Sequence, residues 1–167
     1  MKIIIIGLTV LFFCFSTQTQ AAWSFTESKD QFTGVVTFTA SYDVELMSTG
    51  FTSFGLRCDT KSDYAKNALV WFSSEMPLAY YKEDIKFTII ANDRTFWFNG
   101  EMFSNSMSGG YASIQDDSQR DYLIDALAKG HDVAFRIDPD GPGEVRDQRL
   151  TLTGSSKAIE QWKAKCL

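Results

Sequence analysis

Chemistry in this chain would be sought first among its three cysteines, its one histidine and its carboxylates. His131 follows Gly130 at a helix-to-strand junction, where an imidazole serves as a surface or capping group. One histidine leaves little for acid–base work and makes no multi-histidine metal site. Asp138, Asp140 and Glu144 in "DPDGPGE" offer hard oxygen ligands, but calcium needs about six to eight oxygens in tight register. The EF-hand spacing is absent, and Asp, Pro and Gly are turn formers, so a plain loop is expected. The pairs Glu83/Asp84 and Asp116/Asp117 are neighbours in sequence, whereas a glycosidase needs two carboxylates about 5–10 Å apart across a cleft. Asp116 and Asp117 suit a helix start, where negative charge meets the positive end of the dipole. No nucleophile elbow, phosphate-cradling glycine loop or zinc-binding spacing occurs. The expectation is a non-enzymatic protein with no catalytic residue, cofactor or metal. A hydrolase built on buried carboxylates is the remaining catalytic alternative.

The thiols point elsewhere. "MKIIIIGLTVLFFCFSTQTQAAW" has a basic start at Lys2, an apolar run from Ile3 to Phe15, then a polar stretch and small residues. That is the layout of a cleavable secretory signal, and the run is shorter than the roughly 20 residues of a membrane span. Thr19 and Ala21 place the cut after Ala21, so residues 1–21 are expected to be removed and 22–167 to form a single domain. No membrane span then remains. Cys14 follows Phe12 and Phe13, where a lipid-attachment site needs small residues, so lipidation is not expected. Cys58 and Cys166 are left. An exported chain with two cysteines allows one disulfide, with two separate buried thiols as the alternative. The bridge would close a loop of roughly 108 residues, worth about 4–5 kcal/mol in loop-closure entropy. A buried structural cystine is a poor redox centre, so redox catalysis is not expected.

Binding chemistry is concentrated in the aromatics. "LAYYKED" and "TFWFNGEMF" gather Tyr80, Tyr81, Phe96, Trp97, Phe98 and Phe103 in one hairpin-like region. Alternation sends Phe96 and Phe98 to one face and Trp97 to the other. A sheet covered on both faces, the commoner arrangement, would bury both sets. A sheet with one open face would leave a strip for a sugar polymer or a protein partner, with Tyr80, Tyr81, Trp97 and Phe103 as the candidate surface. The formal charge of −5 moves to about −6 once Lys2 is lost. An acidic chain with interspersed charges has no electrostatic footprint for nucleic acid.

These residues must be held by elements that the pattern also predicts. Trp23 and Phe25 alternate with polar residues. Val36, Phe38, Ala40 and Tyr42 share one strand face, as do Phe54, Leu56 and Cys58. "NALVWFS", "DIKFTIIA", "TFWFNGEMF" and "GGYASIQ" read as further strands, with "NDR" as a turn. In "DDSQRDYLIDALAKG", Ser118 is expected to cap a helix that ends at Gly130, with Tyr122, Leu123, Ala126 and Leu127 as its apolar stripe. "HDVAFRI" and "RLTLTG" are strands. "SSKAIEQWKAKC" is a final helix capped by Ser155 or Ser156, with Ile159, Trp162 and Cys166 on one face. Strands first and helices late predict an α+β domain with an antiparallel, β-rich sheet or sandwich core and one disulfide.

Taken in order, the tryptophan near the signal, "GLRC", the helix "DYLIDALAKG", "VAFRI", "RLTLTG" and the terminal cysteine carry a resemblance. The chain resembles the small exported VasI/TagO-like accessory proteins of type VI secretion and, more distantly, the invasion-associated locus B type of periplasmic protein. Leu150 and Leu152 stand where such proteins often carry a phenylalanine-centred strand, and "NDRTFWFNG" matches loosely. The resemblance implies a periplasmic or secreted, non-enzymatic accessory of a Gram-negative envelope, with Cys58 and Cys166 as the matched pair. It implies an envelope protein as partner; peptidoglycan is the alternative partner that the aromatics suggest.

Overall fold

The computed structural model describes residues 22–43, 51–61, 69–74, 83–104, 108–114, 116–139 and 145–167. In chain order the elements are β1 (Trp23–Lys29), β2 (Val36–Asp43), β3 (Phe51–Asp59), β4 (Leu69–Ser74), β5 (Glu83–Ala91), β6 (Arg94–Ser104), β7 (Ser108–Ser113), α1 (Asp117–Lys129), β8 (Asp132–Pro139), β9 (Arg146–Thr151) and α2 (Ser155–Cys166). All nine strands join one antiparallel sheet in the order β1-β2-β3-β4-β7-β6-β5-β8-β9. The expected α+β architecture, β-rich with two helices in the C-terminal half, is the observed one.

Period-two alternation decides which side of each strand is dry. Phe38, Ala40 and Tyr42 on β2, Phe54, Leu56 and Cys58 on β3, and Ile85, Phe87 and Ile89 on β5 are all buried. The sheet coils until its concave face closes on itself. Phe54 of β3 stacks on Phe135 of β8 with centroids 4.7 Å apart, although four strands lie between them in the sheet order. Phe87 lies 6.4 Å from Phe54 and 6.0 Å from Phe135, and Phe72 lies 5.7 Å from Phe87. Offset stacks of this kind add about 0.5–1.5 kcal/mol each beyond the area they bury. At one corner the two edge strands touch: the Trp23 indole N–H donates to the Thr151 carbonyl at 3.1 Å, and its backbone N–H to Thr153 at 3.5 Å. β5 and β6 are joined by a two-residue turn, Asn92-Asp93, at φ 50° and 59°. Positive φ at both positions is what a tight hairpin with right-handed strand twist demands.

The helices fill the concave side. α2 lies against β1, β2 and β3, and α1 packs between α2 and β5. Ile159, Trp162 and Cys166 face inward together, with Trp162 fully buried. Cys166 is disulfide-bonded to Cys58 of β3 with Cα atoms 6.1 Å apart, within the span such a bridge requires.

Three local expectations are corrected. Asp116, not Ser118, caps α1: its carboxylate accepts the Gln119 N–H at 3.0 Å, while Ser118 lies inside the first turn and donates to Asp116 at 2.6 Å. The apolar stripe of α1 is rotated, so that Ile124 is buried and Tyr122 is 58% exposed, its ring covered by the Arg94 guanidinium at 4.8 Å. Neither Ser155 nor Ser156 caps α2, which begins at Gly154 in the left-handed region at φ 83°. Their hydroxyls instead donate to Leu127 (2.7 Å) and Ala128, two carbonyls left without partners at the end of α1. The serines therefore tie the helices to one another.

Candidate functional site

With both helices on the concave side, the outer face of β6, β5, β8 and β9 is open. The face is organised in cross-strand rows fixed by the register. The central row runs Trp97, Thr88, Arg136, Asp147. One flanking row is Asn99, Lys86 and Asp138; the other is Thr95, Ile90, Ala134 and Arg149. Strand spacing makes the patch about 14 Å wide, and two-residue steps separate the rows by about 7 Å. A shallow open groove of ≈ 640 Å³ lies over it.

Trp97 dominates this face. It is 61% exposed, and among the described residues no ring or cation lies on its indole. Its cross-strand neighbour is Thr88, too small to cover it, and Ile90, 45% exposed, extends the apolar floor on the diagonal. Burying such a tryptophan would be strongly favourable, so its exposure marks a surface available for a ligand.

Arg136 and Asp147 form a bidentate pair, Nε and Nη2 to the two carboxylate oxygens, both at 2.6 Å. Those hydrogen bonds hold the Asp147 carboxyl below its usual range and raise Arg136, to which the charges of Asp147 and then Asp138 also contribute. Both side chains are more than half exposed, so the pair adds little stability. What it supplies is orientation: the guanidinium is held flat, with its Nη1 edge unspent. Lys86 has no hydrogen-bond or ion-pair partner among the described residues. Arg149 reaches Asp132 only at 3.6 Å.

Of the candidate surface, Trp97 lies on this face. Phe103 lies on β6 with its side chain outside the described residues, and Tyr80 and Tyr81 lie outside them entirely. Burial on both faces of the sheet, the commoner arrangement, is not what is found at Trp97. Lys86, Arg136 and Asp147 were not among the candidates. The alternation in "DIKFTIIA" and "HDVAFRI" places Lys86 and Arg136 opposite the buried residues of their strands, which is the signal that finds them. Asp140 and Glu144 of the acidic loop lie outside the described residues. Among those described, the buried polar residues are Ser41, Ser53 and Ser155, so no buried carboxylate is there for a hydrolase. No group of three metal-ligating side chains occurs among them either. No helix among them is long and apolar enough to cross a membrane. His131 is exposed, and its carbonyl accepts the Leu152 N–H at 2.9 Å.

No family model matches the chain, and neither a curated protein nor a solved structure matches it.

Proposed function

We propose that this chain is an exported accessory protein of the bacterial envelope, periplasmic or secreted, that works by binding and not by catalysis. Its working surface is the outer face of β6-β5-β8-β9, and its ligand is an envelope polymer, with peptidoglycan as the form to test. The observation that carries this is Trp97, a bare indole at the β6 end of the central row of an open groove that is also lined by planar and charged side chains. Such a floor receives a flat apolar ring face, and such a rim receives hydroxyl and carboxylate groups. Export is supported by the signal-like residues 1–21 and by the disulfide, which persists in oxidising compartments. Sedimentation with purified peptidoglycan tests the reading. The oxidised protein should co-pellet and Trp97→Ala should stay in the supernatant, with thermal stability unchanged because the ring is exposed. Equal pelleting of the two proteins would remove Trp97 from the function.

A protein partner, with a role beside a type VI secretion system as the resemblance implies, is the second reading. It is favoured by Phe32, 100% exposed at the tip of the β1–β2 hairpin. The Asp30 carboxylate accepts the N–H groups of Phe32 and Thr33, both at 2.8 Å, so the tip is braced before anything binds it. Retention of a specific envelope protein that is lost with Phe32→Ala, without peptidoglycan pelleting, would put this reading first.

A further inference from the structure

We infer that the ligand of this face is a carboxylate-bearing glycan, with one sugar ring lying on the Trp97 indole and a carboxylate received between Lys86 and Arg136. The inference rests on the outer face being the binding surface and adds the chemistry of what it binds. Four residues surround Thr88 on the strand lattice: Trp97 and Arg136 directly across from it on either side, and Lys86 and Ile90 one step along its own face in the two directions. Lys86 is therefore on the diagonal from both, a separation of about 7–8 Å between backbone positions that long side chains readily close. A group above Thr88 meets the Nη1 edge of Arg136 on one side and the ammonium of Lys86 on the other, neither of which has a partner among the described residues.

Charge complementarity gives the sign of the ligand. The groove is lined by three cations, Lys86, Arg136 and Arg149, and two carboxylates, Asp138 and Asp147, in a chain whose formal charge is −5. This local excess of a single positive charge suits a monoanionic carboxylate better than a dianionic phosphate ester. Backbone chemistry separates glycan from peptide. β5 and β8, which carry Lys86, Thr88 and Arg136, are paired on both sides, so an extended peptide gains no main-chain ladder over the carboxylate position; β6 pairs with β7 only over Gly100–Ser104. Among the described residues, Trp97 and Ile90 are the only large apolar side chains exposed in the groove, too few for a series of side-chain pockets. A pyranose needs only one such floor for its C–H face, with polar groups around its edge.

The test uses isotopically labelled protein and follows the Trp97 indole N–H, assigned by its loss in Trp97→Phe. The probes are oligogalacturonate, the same oligomer fully methyl-esterified, and hexaglutamate. The acidic oligomer should move the Trp97 resonance saturably. It should bind about fivefold more tightly than its methyl ester, the upper range for an exposed ion pair, and lose that advantage at high salt. Lys86→Gln should abolish the same advantage and leave the ester unaffected. Equal binding of acid and ester at Trp97 would overturn the carboxylate assignment while leaving the face as a neutral-glycan surface. Equally tight binding of hexaglutamate there would replace glycan with acidic peptide. No response of Trp97 to any of the three would overturn the inference, and peptidoglycan pelleting by wild type and Trp97→Ala would decide separately whether the face binds at all.

Discussion

Breaking the Cys58–Cys166 bridge should lower stability by an amount set by the loop it closes and not by contacts around the sulfurs. The two cysteines are 108 residues apart. Loop-closure entropy for that length gives about 4.8 kcal/mol at 25 °C, and native bridges in small exported domains deliver about 2–5 kcal/mol. Unfolding entropy of about 2.1 cal/mol/K per residue over about 146 residues makes each kcal/mol worth about 3 °C. The expected fall in Tm for Cys58→Ala/Cys166→Ala is therefore about 7–16 °C. The assay is thermal and urea denaturation followed by circular dichroism, with wild type run oxidised and reduced. Either single variant should lose nearly as much as the pair, because one missing sulfur already opens the loop. The urea m-value should rise when the bridge goes, because the uncrosslinked denatured chain exposes more surface. Melting of the double variant within about 2 °C of the oxidised wild type would refute this reasoning. So would single-variant losses that simply add, which would make the cysteines two independent buried side chains.

Three further outcomes follow from local geometry. Asp93→Gly places glycine at φ 59° in the β5–β6 turn and should raise stability by about 0.5–1 kcal/mol, measured as an upward shift of the urea midpoint. Ser155→Ala removes a buried hydroxyl from the Leu127 carbonyl and should cost about 1–2 kcal/mol, with faster hydrogen exchange at the α1–α2 junction. Asp30, Asp116 and Asp147 all have carboxyl groups held below the ordinary 3.8, each first by a hydrogen bond: to the Thr33 backbone, to the Ser118 hydroxyl and to Arg136 respectively. A depressed folded-state pKa contributes stability above 3.8 and loses it as pH falls through the folded value. Tm should hold steady from neutral pH to about pH 5 and decline below about pH 4, with a shallower decline in Asp116→Asn.

Where period-two alternation alone decides burial, the strands were readable. Phe38, Ala40 and Tyr42 and then Phe54, Leu56 and Cys58 fell on the buried side as their spacing required, and Cys58 could therefore be placed inside. The opposition of Trp97 to Phe96 and Phe98 was equally plain. Its exposure was not, because that depends on which side of the sheet the helices choose, and they follow the inward-facing Cys58. The Lys86–Arg136–Asp147 group was hidden for a different reason. β5 pairs with β8 as well as with β6, and nothing local to residues 83–91 announces a partner more than forty positions away. The helix caps show the limit of local signals most clearly. Ser155 and Ser156 look like caps for the helix they begin, yet their acceptors lie 28 residues upstream. Asp116 and Ser118 both have capping chemistry, and only where the helix starts decides between them.

The corner where Trp23 meets Thr151 and Thr153 has a consequence for the order in which this chain can become rigid. A ribosome or translocation pore delivers residue 23 first, yet its hydrogen-bond acceptors arrive some 130 positions later, and Cys58 must wait for Cys166. Early strands can pair as they emerge, but the seam must wait for Thr151 and Thr153, and the bridge for Cys166 in the last turn of α2. Such long-range closure makes folding slow to commit. The finished lock is thus the last event in the chain's own synthesis, set by a sulfur one residue from its C-terminal end.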